Sequence, residues 1–342
     1  MDQLADPDKR AELQRYMKHL GIADRGVANF PIAGEALFRG LEVSATPKAR
    51  LQVSDGRRSF WWKGGWTNLN SELARRLGSQ KEIQSRSFRA RGLSSPENAV
   101  FSPGEGRRAW AWGFPIAPLV VKPYNGSQGR GVHVNLNSEP EFLEAFDTVT
   151  AEWGPVLVEE FVRGSEHRVH VVDGKVTAAL RIDSANVRGD GTSTIAELVA
   201  EKNISVMPPH KPIQTGDAEQ KFLARAGYTF DTVLDAGAQA YLRGNSNLAS
   251  GGDSVDVTHE LSTEEISFVE SAARGWPGMR VAGFDILFPR GEGDAPATIL
   301  EMNHPAGIGG HHYPRFGPGR EVAIPIINAM FPKTSRPWPP AA

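Results

Sequence analysis

The sequence predicts an α+β fold of two units behind a smaller N-terminal segment, on three observations. Residues 119–136 read as strand, glycine-rich loop and strand, and are followed by a helix, a strand and a hairpin, an order that favours antiparallel pairing over a parallel βαβ array. Two apolar stretches, Val281 to Phe288 and Thr298 to Asn303, read as closing strands around a turn-rich 289–296. The chain has 342 residues, enough for two or three core-bearing units.

Composition narrows the chemistry. Hydrophobic residues make up 40% and charged residues 23%, as in ordinary globular proteins. A net charge of −2 sets up no global field for nucleic acid or an anionic membrane, so any phosphate site must be built locally. The absence of cysteine excludes disulfides, thiolate metal sites and a cysteine nucleophile. The first ten residues lack the apolar core of a signal peptide, and no run approaches a membrane span. The expectation is a soluble, cytoplasmic protein with neither nucleic-acid nor membrane partners.

In chain order, Leu13, Tyr16, Met17 and Leu20 space a helix over 8–20, and 41–62 alternates like strands. Trp61, Trp62 and Trp66 are read as core or as a wall between subdomains in preference to a substrate pocket. Ser71 to Leu77 is a short helix, and Gln80 to Arg91 a basic one whose charges read as a solvated face, with Lys81 near enough its start to reach a phosphate. Leu119 to Val121 then delivers Lys122 into a loop with Gly126, Gly129 and Gly131. Glycines let backbone N–H groups close on an anion. The stretch alone leaves two readings open: a phosphate nest, or a glycine-rich hairpin with an exposed lysine. It is neither a Gly-Lys-Ser/Thr phosphate loop nor a dinucleotide fingerprint, because a strand follows it.

Ser138 to Glu141 has capping-box spacing ahead of a helix, and Pro155 to Val162 reads as a buried strand holding Glu159 and Glu160. A hairpin turns at Asp173-Gly174, a helix spans Thr194 to Glu201, and the chain then reads as irregular through 220. Arg243 opens a second loop rich in glycine and asparagine, and Ser262 to Glu265 caps a further helix. Asp285, Glu301 and Asn303 interrupt the apolar closing strands, with Glu301 and Asn303 on one face by the two-residue period. Hard oxygen ligands without histidine or cysteine suit Mg²⁺ shared with nucleotide phosphates; a solvated cross-strand polar pair is the plainer alternative. Together these parts describe a nucleoside triphosphate site between two α+β units.

Six motifs in this order resemble the ATP-grasp carboxylate–amine ligases, nearest to the ATP-grasp half of the cyanophycin synthetases and to the glutathione synthetases. They are Val-Val-Lys-Pro with Gly-x-x-Gly-x-Gly (120–131), Leu-Val-Glu-Glu-Phe-Val-x-Gly-x-Glu-His-Arg (157–168), Gly-Asp-Gly-x-x-Thr-Ile (189–195), Asn247 to Thr258, Phe284-Asp285-Ile286 and Leu300 to Asn303. The resemblance covers roughly 75–335 and implies an ATP-grasp fold with an N-terminal domain over 1–78, a lid subdomain over 79–163 and a C-terminal subdomain with the metal site over 164–336.

It also implies roles. Lys81 and Lys122 hold the nucleotide phosphates, and Gly126, Ser127, Gln128, Gly129 and Gly131 form a mobile loop over the γ-phosphate. Glu159, Glu160, Phe161 and Val162 form the adenine hinge, and Glu166 takes the ribose hydroxyls. Arg181 and Arg243 face the transferring phosphoryl group or the substrate carboxylate, and Asp285, Glu301 and Asn303 bind two Mg²⁺ ions, with Mn²⁺ an admissible substitute. Arg168, Asn247, Gly251, Gly252, His304 and Gly307 are substrate-side candidates, with His311 to Tyr313 beside them.

The implied reaction uses ATP to join the carboxylate of an amino acid or small peptide to an amine through an acyl-phosphate. A kinase that stops at phosphorylation is the alternative. Homodimer and homotetramer are both open. The resemblance does not reach the Mur-ligase-like second half of cyanophycin synthetases, so polymer elongation is not carried over, and the 304–313 stretch departs from the family pattern, so substrate identity is not carried over either.

Overall fold

The stretch over 41–62 that alternates like strands folds into a sheet. The computed structural model describes residues 29–45, 50–126, 129–244, 246–290 and 296–337, with four isolated positions between 11 and 19. The expected helix over 8–20 therefore lies largely outside the described residues, as does most of the 289–296 turn. Glu42–Ala45 (β1), Leu51–Ser54 (β2), Ser59–Lys63 (β3) and Trp66–Thr67 (β4) pair antiparallel in that order. Leu51, Val53 and Trp62 are buried from this sheet into a core shared with Phe30, Ile32, Ile326, Ile327 and Phe331 of helices Phe30–Phe38 and Ala323–Met330 and of the turn after them. Gly64 and Gly65 turn β3 into β4 at φ +55° and +98°, the doubly left-handed geometry of a two-residue hairpin. A Cβ on Gly65 would lie 2.6 Å from the Ala306 carbonyl carbon, so the turn seats on that backbone only as glycine. The tryptophan cluster divides: Trp62 is core, Trp61 is half-buried under Arg50, and Trp66 stays 42% exposed.

The chain forms two compact units. The first comprises residues 1–76, 167–284 and 303–342; the second, residues 77–166 and 285–302. In the second, Asn98–Phe101 (β5), Leu119–Pro123 (β6), His133–Leu136 (β7) and Val156–Glu160 (β8) form an antiparallel sheet in the order β5-β8-β6-β7. Helix Glu139–Trp153 covers it with Phe142, Phe146 and Val149 against Leu119, Val121, Val156 and Val158. The capping box expected at its start does not form. Ser138 Oγ donates to the Glu141 carboxylate at 2.9 Å, and its side chain makes no bond to the backbone.

Ser165–Val172 (β9), in the first unit from His167 on, and Lys175–Asp183 (β10) make the expected hairpin through Asp173 and Gly174, both at positive φ. Asn186–Arg188 (β11) pairs with Gln239–Tyr241 (β12), and Asp253–Asp256 (β13) with β10. Helix Ile195–Ile204 starts on a true capping box of Thr194 and Glu197. A second helix, Asp217–Arg225, replaces part of the stretch read as irregular: Gly216 has no capping side chain, but Glu219 reaches back to the Gly216 N–H at 3.1 Å. Val281–Phe288 (β14) begins in the first unit and ends in the second, where it neighbours Thr298–Asn303 (β15). Among the described residues, no helix is long and apolar enough to cross a membrane.

Candidate functional site

Lys122 owes its position to β6. Leu119, Val120, Val121 and Pro123 are buried, and Lys122 is the half-buried exception in the strand. Its Nζ lies 2.5 Å from Glu159 Oε1 on β8, at 15% and 8% side-chain exposure. Two charges this far out of water persist only as a pair, since removing either strands the other. The register puts Glu159 opposite both Asn98 and Val120, so Asn98, Glu159 and Lys122 share one face of the sheet. Asn98 Oδ1 is buried there with no hydrogen-bond partner among the described residues. The carboxylates that were costly in a buried strand thus have an answer for Glu159, while Glu160 remains half-buried.

The loop behind Lys122 is held at its root. Gly126 N–H donates to the Pro123 carbonyl at 3.2 Å, and a Cβ on Gly126 would sit 2.8 Å from Pro123 Cβ. Gly129 and Gly131 take φ +68° and +69°, and a Cβ on Gly131 would meet the Pro123 ring at 2.9 Å. Ser127 and Gln128 lie outside the described residues. Tyr124 donates its N–H to the Pro155 carbonyl at 3.0 Å and its hydroxyl to Glu82 Oε1 at 3.1 Å. Burial, and then the Glu82 carboxylate, push the Tyr124 pKa up, which keeps the hydroxyl a donor.

Lys81 opens helix Lys81–Arg89 and reaches Glu301 Oε2 on β15 at 3.5 Å. Gln84, one turn on, joins the same two elements: its Nε2 donates to the Met302 carbonyl at 2.9 Å and to Gly78 O at 2.5 Å, and its Oε1 accepts from Met302 N–H at 2.6 Å. With Gln84, Ser85 and Phe88 buried, the helix is not the wholly solvated face its charges suggested. Asp285 is the half-buried exception in the otherwise buried β14, and Glu301 and Asn303 are half-buried on β15. Among the described residues no group of three or more histidines and carboxylates could hold a metal ion. Along the segment expected to form the hinge, Glu160 N–H donates to Glu97 O at 2.9 Å and Phe161 N–H to Pro118 O at 2.8 Å, so the Phe161 N–H is already engaged. Glu166 is half-buried on β9.

The second unit therefore gathers Lys81, Lys122, the described loop glycines, Glu159 to Val162, Glu166, Asp285 and Glu301. The other candidates fall in the first. Arg181 Nε donates to Asp183 Oδ1 at 3.0 Å, a bond that raises its pKa, and Arg243 Nε donates to the buried Glu219 at 2.6 Å. Gly251 (φ +89°) and Gly252 are fixed by crowding: a Cβ would lie 2.7 Å from Ile213 Cγ1 in the first case, and 2.7 Å from the Asn247 and Asp183 carbonyl oxygens in the second. Asn247 caps the short turn before them by accepting from Ala249 N–H at 2.8 Å. Arg168 is half-buried on β9, with its Cδ 3.2 Å from where a Gly283 Cβ would lie.

His304 is buried edge-on against Trp66, with ring centroids 4.6 Å apart, while a Cβ on Gly307 would meet nothing within 4 Å. His311 and His312 are fully buried, and burial lowers the His312 pKa to about 3 and that of His311 well below 6.5. The sequence reading missed Asn98, Gln84 and the Glu82–Tyr124 pair. Only the spacing of Gln84, one turn before the apolar Phe88, offered a signal.

No protein-family model matches the chain. It is 31% identical over 285 residues to the glutathione biosynthesis bifunctional protein GshAB of Streptococcus mutans, covering 80% of this chain and 38% of that one. It is 30% identical over 343 residues to the cyanophycin synthetase of Trichormus variabilis, covering 94% and 37%. The chain thus spans little more than a third of either relative's length. The crystal structure of a bifunctional glutathione synthetase from Pasteurella multocida matches 97% of this chain and 46% of its own at a TM-score of 0.69 and 24% identity, which shows a shared fold. With homologues among the cyanophycin synthetases and the bifunctional glutathione synthetases, the chain is an ATP-grasp ligase homologue with the α+β fold its motifs predict.

Proposed function

We propose that the chain is an ATP-dependent carboxylate–amine ligase that joins an amino acid or small peptide to an amine, with ADP and phosphate as the other products. The observation that carries this reading is the gathering, in one compact unit, of two lysines each already facing a carboxylate, a glycine turn rooted beside one of them, and two acidic residues in apolar strands. Names of relatives that couple carboxylates to amines point the same way.

In this proposal Lys81 and Lys122 turn from Glu301 and Glu159 towards the nucleotide phosphates, and the 126–131 loop closes over the γ-phosphate and keeps water away. Glu159 to Val162 receive adenine and Glu166 the ribose. Asp285, Glu301 and Asn303 would hold Mg²⁺, or Mn²⁺ in its place, which would supply positive charge against the phosphate oxygens. Arg181 and Arg243, freed in part from Asp183 and Glu219, orient the carboxylate. Its oxygen attacks the γ-phosphorus, the bond to ADP breaks, and an amine displaces phosphate from the acyl carbon. A carboxylate is a poor electrophile until one oxygen becomes a good leaving group, which is what ATP supplies here. Arg168, Asn247, Gly251, Gly252, His304 and Gly307 belong to the substrate side, with Asn247, Gly251 and Gly252 shaping their loop.

Lid and C-terminal subdomains over 79–163 and 164–336, behind an N-terminal domain, and a homodimeric or homotetrameric assembly complete the proposal; light scattering reads the assembly. The test of function is phosphate release from ATP and Mg²⁺ in the presence of pooled amino acids and amines. Release that needs a carboxylate and an amine together supports the ligase. A stable phosphorylated product from one pool identifies a kinase and refutes it.

A further inference from the structure

We propose that Asn98 reads the exocyclic amine of the nucleotide base, as a specificity-determining residue that no motif of the sequence marks. The inference rests on the adenine-hinge reading of Glu159 to Val162 and goes beyond it.

Asn98 lies on the edge strand β5, directly opposite Glu159 on β8. Directly opposed residues of an antiparallel pair carry their side chains side by side on one face, about 5 Å apart at Cβ. Asn98 therefore neighbours the buried first side chain of that hinge, on the face where Lys122 meets Glu159. Its Oδ1 is shielded from solvent and accepts no hydrogen bond among the described residues. Lys122 spends its short contact on Glu159, not on Asn98.

A buried acceptor without a donor costs free energy and is retained where something else supplies the donor. The neighbouring hinge supplies the identity of that donor. A 6-aminopurine presents two N–H donors on the edge that faces a hinge, and one of them can satisfy an amide oxygen beside Glu159. A 6-oxopurine presents an acceptor instead, which the amide meets by turning its Nδ2 inward. The discriminating ligand is therefore one that lacks the 6-substituent altogether.

The test is a cycle between one side chain and one ligand group. Dissociation constants for ATP and for purine riboside 5′-triphosphate, which lacks only the 6-amine, are measured with Mg²⁺ on the full chain and on Asn98→Leu. Circular dichroism reports the fold. Should Asn98→Leu fail to fold, Asn98→Val, which suits an edge strand, is read in the same way. Loss of the bond weakens ATP by about tenfold, the scale of one buried neutral hydrogen bond, and leaves the des-amino analogue unchanged. Equal weakening of both ligands, or of neither, overturns the inference and leaves the hinge reading standing. An unaltered chain that binds ATP and the analogue equally also overturns it. A chain that binds no nucleotide refutes the hinge reading itself.

Discussion

Replacing Gln84 by leucine tests whether the Lys81 helix and β15 form one positioned frame. The side chain is buried and makes three bonds: Nε2 to Gly78 O, Nε2 to Met302 O, and Oε1 from Met302 N–H. Leucine keeps most of the volume and makes none of them, so one N–H and two carbonyls lose a partner out of reach of water. At about 1 kcal/mol for each bond, the loss is about 3 kcal/mol, with the stranded Met302 N–H the largest single contributor. Gln84 lies one turn from Lys81, and Met302 follows Glu301, so the same change loosens the 3.5 Å Lys81–Glu301 approach. Urea unfolding followed by circular dichroism gives the first quantity, and Mg²⁺–ATP titration the second, with affinity expected to fall. Arg86→Gln, on the exposed side of the same helix, is the control and stays within about 0.5 kcal/mol. A Gln84→Leu chain as stable as this control, with unaltered nucleotide affinity, would refute the reasoning.

Lys122→Met leaves the Glu159 carboxylate buried without its partner and should destabilise the chain by roughly 3 kcal/mol, while Lys122→Met/Glu159→Gln recovers most of that stability. Turnover stays about 10²–10³ below the unaltered chain in both variants; a double variant no more stable than the single one contradicts the buried-pair account. Gly251→Ala should unfold at lower temperature, since φ +89° and the contact with Ile213 both oppose a Cβ. Gly307→Ala should leave the melting temperature unchanged and alter only the apparent affinity for carboxylate or amine, because nothing lies within 4 Å of the added methyl. Acid should destabilise the chain through its buried histidines. Burial holds His170 and His312 at about 3 and lowers His311, against an ordinary value of 6.5. The unfolded chain therefore takes up these protons first: stability is complete above about pH 6.5 and falls towards pH 3 by about 1.4 kcal/mol per unit for each histidine. Urea unfolding at pH 7.5 and pH 5 measures the slope, His311→Leu should flatten it, and a flat profile in the unaltered chain contradicts the assignment.

What was legible in the sequence was local. Lys122 and the glycines that turn the chain behind it are consecutive, so spacing alone shows the loop. Alternation marks the strands of 41–62, a continuous apolar run marks β6, and the Asp173-Gly174 pair marks a hairpin, because each depends on neighbours one or two residues away. Capping was read less well, and for a physical reason. Ser138 has the spacing of a cap but spends its hydroxyl on Glu141, while the helix at Asp217 starts on a glycine and borrows Glu219. Pairings across the chain were not legible at all. Gln84 meets Met302 from 218 residues away, and Asn98 faces Glu159 only through a strand register that no local pattern specifies. The resemblance set Arg181 and Arg243 against the transferring phosphoryl group or the substrate carboxylate, yet each already faces a carboxylate, Asp183 and Glu219, that spacing did not reveal.

The most direct measurement follows an oxygen atom. Amino acids labelled with ¹⁸O in their carboxylates are incubated with the chain, ATP, Mg²⁺ and an amine pool, and the released phosphate is analysed by mass spectrometry. Transfer of the γ-phosphoryl group to a carboxylate, followed by amide formation, predicts one ¹⁸O in each phosphate released and a product lighter by one labelled water than its two precursors. Phosphate that carries no label, released whether or not an amine is present, would contradict the account.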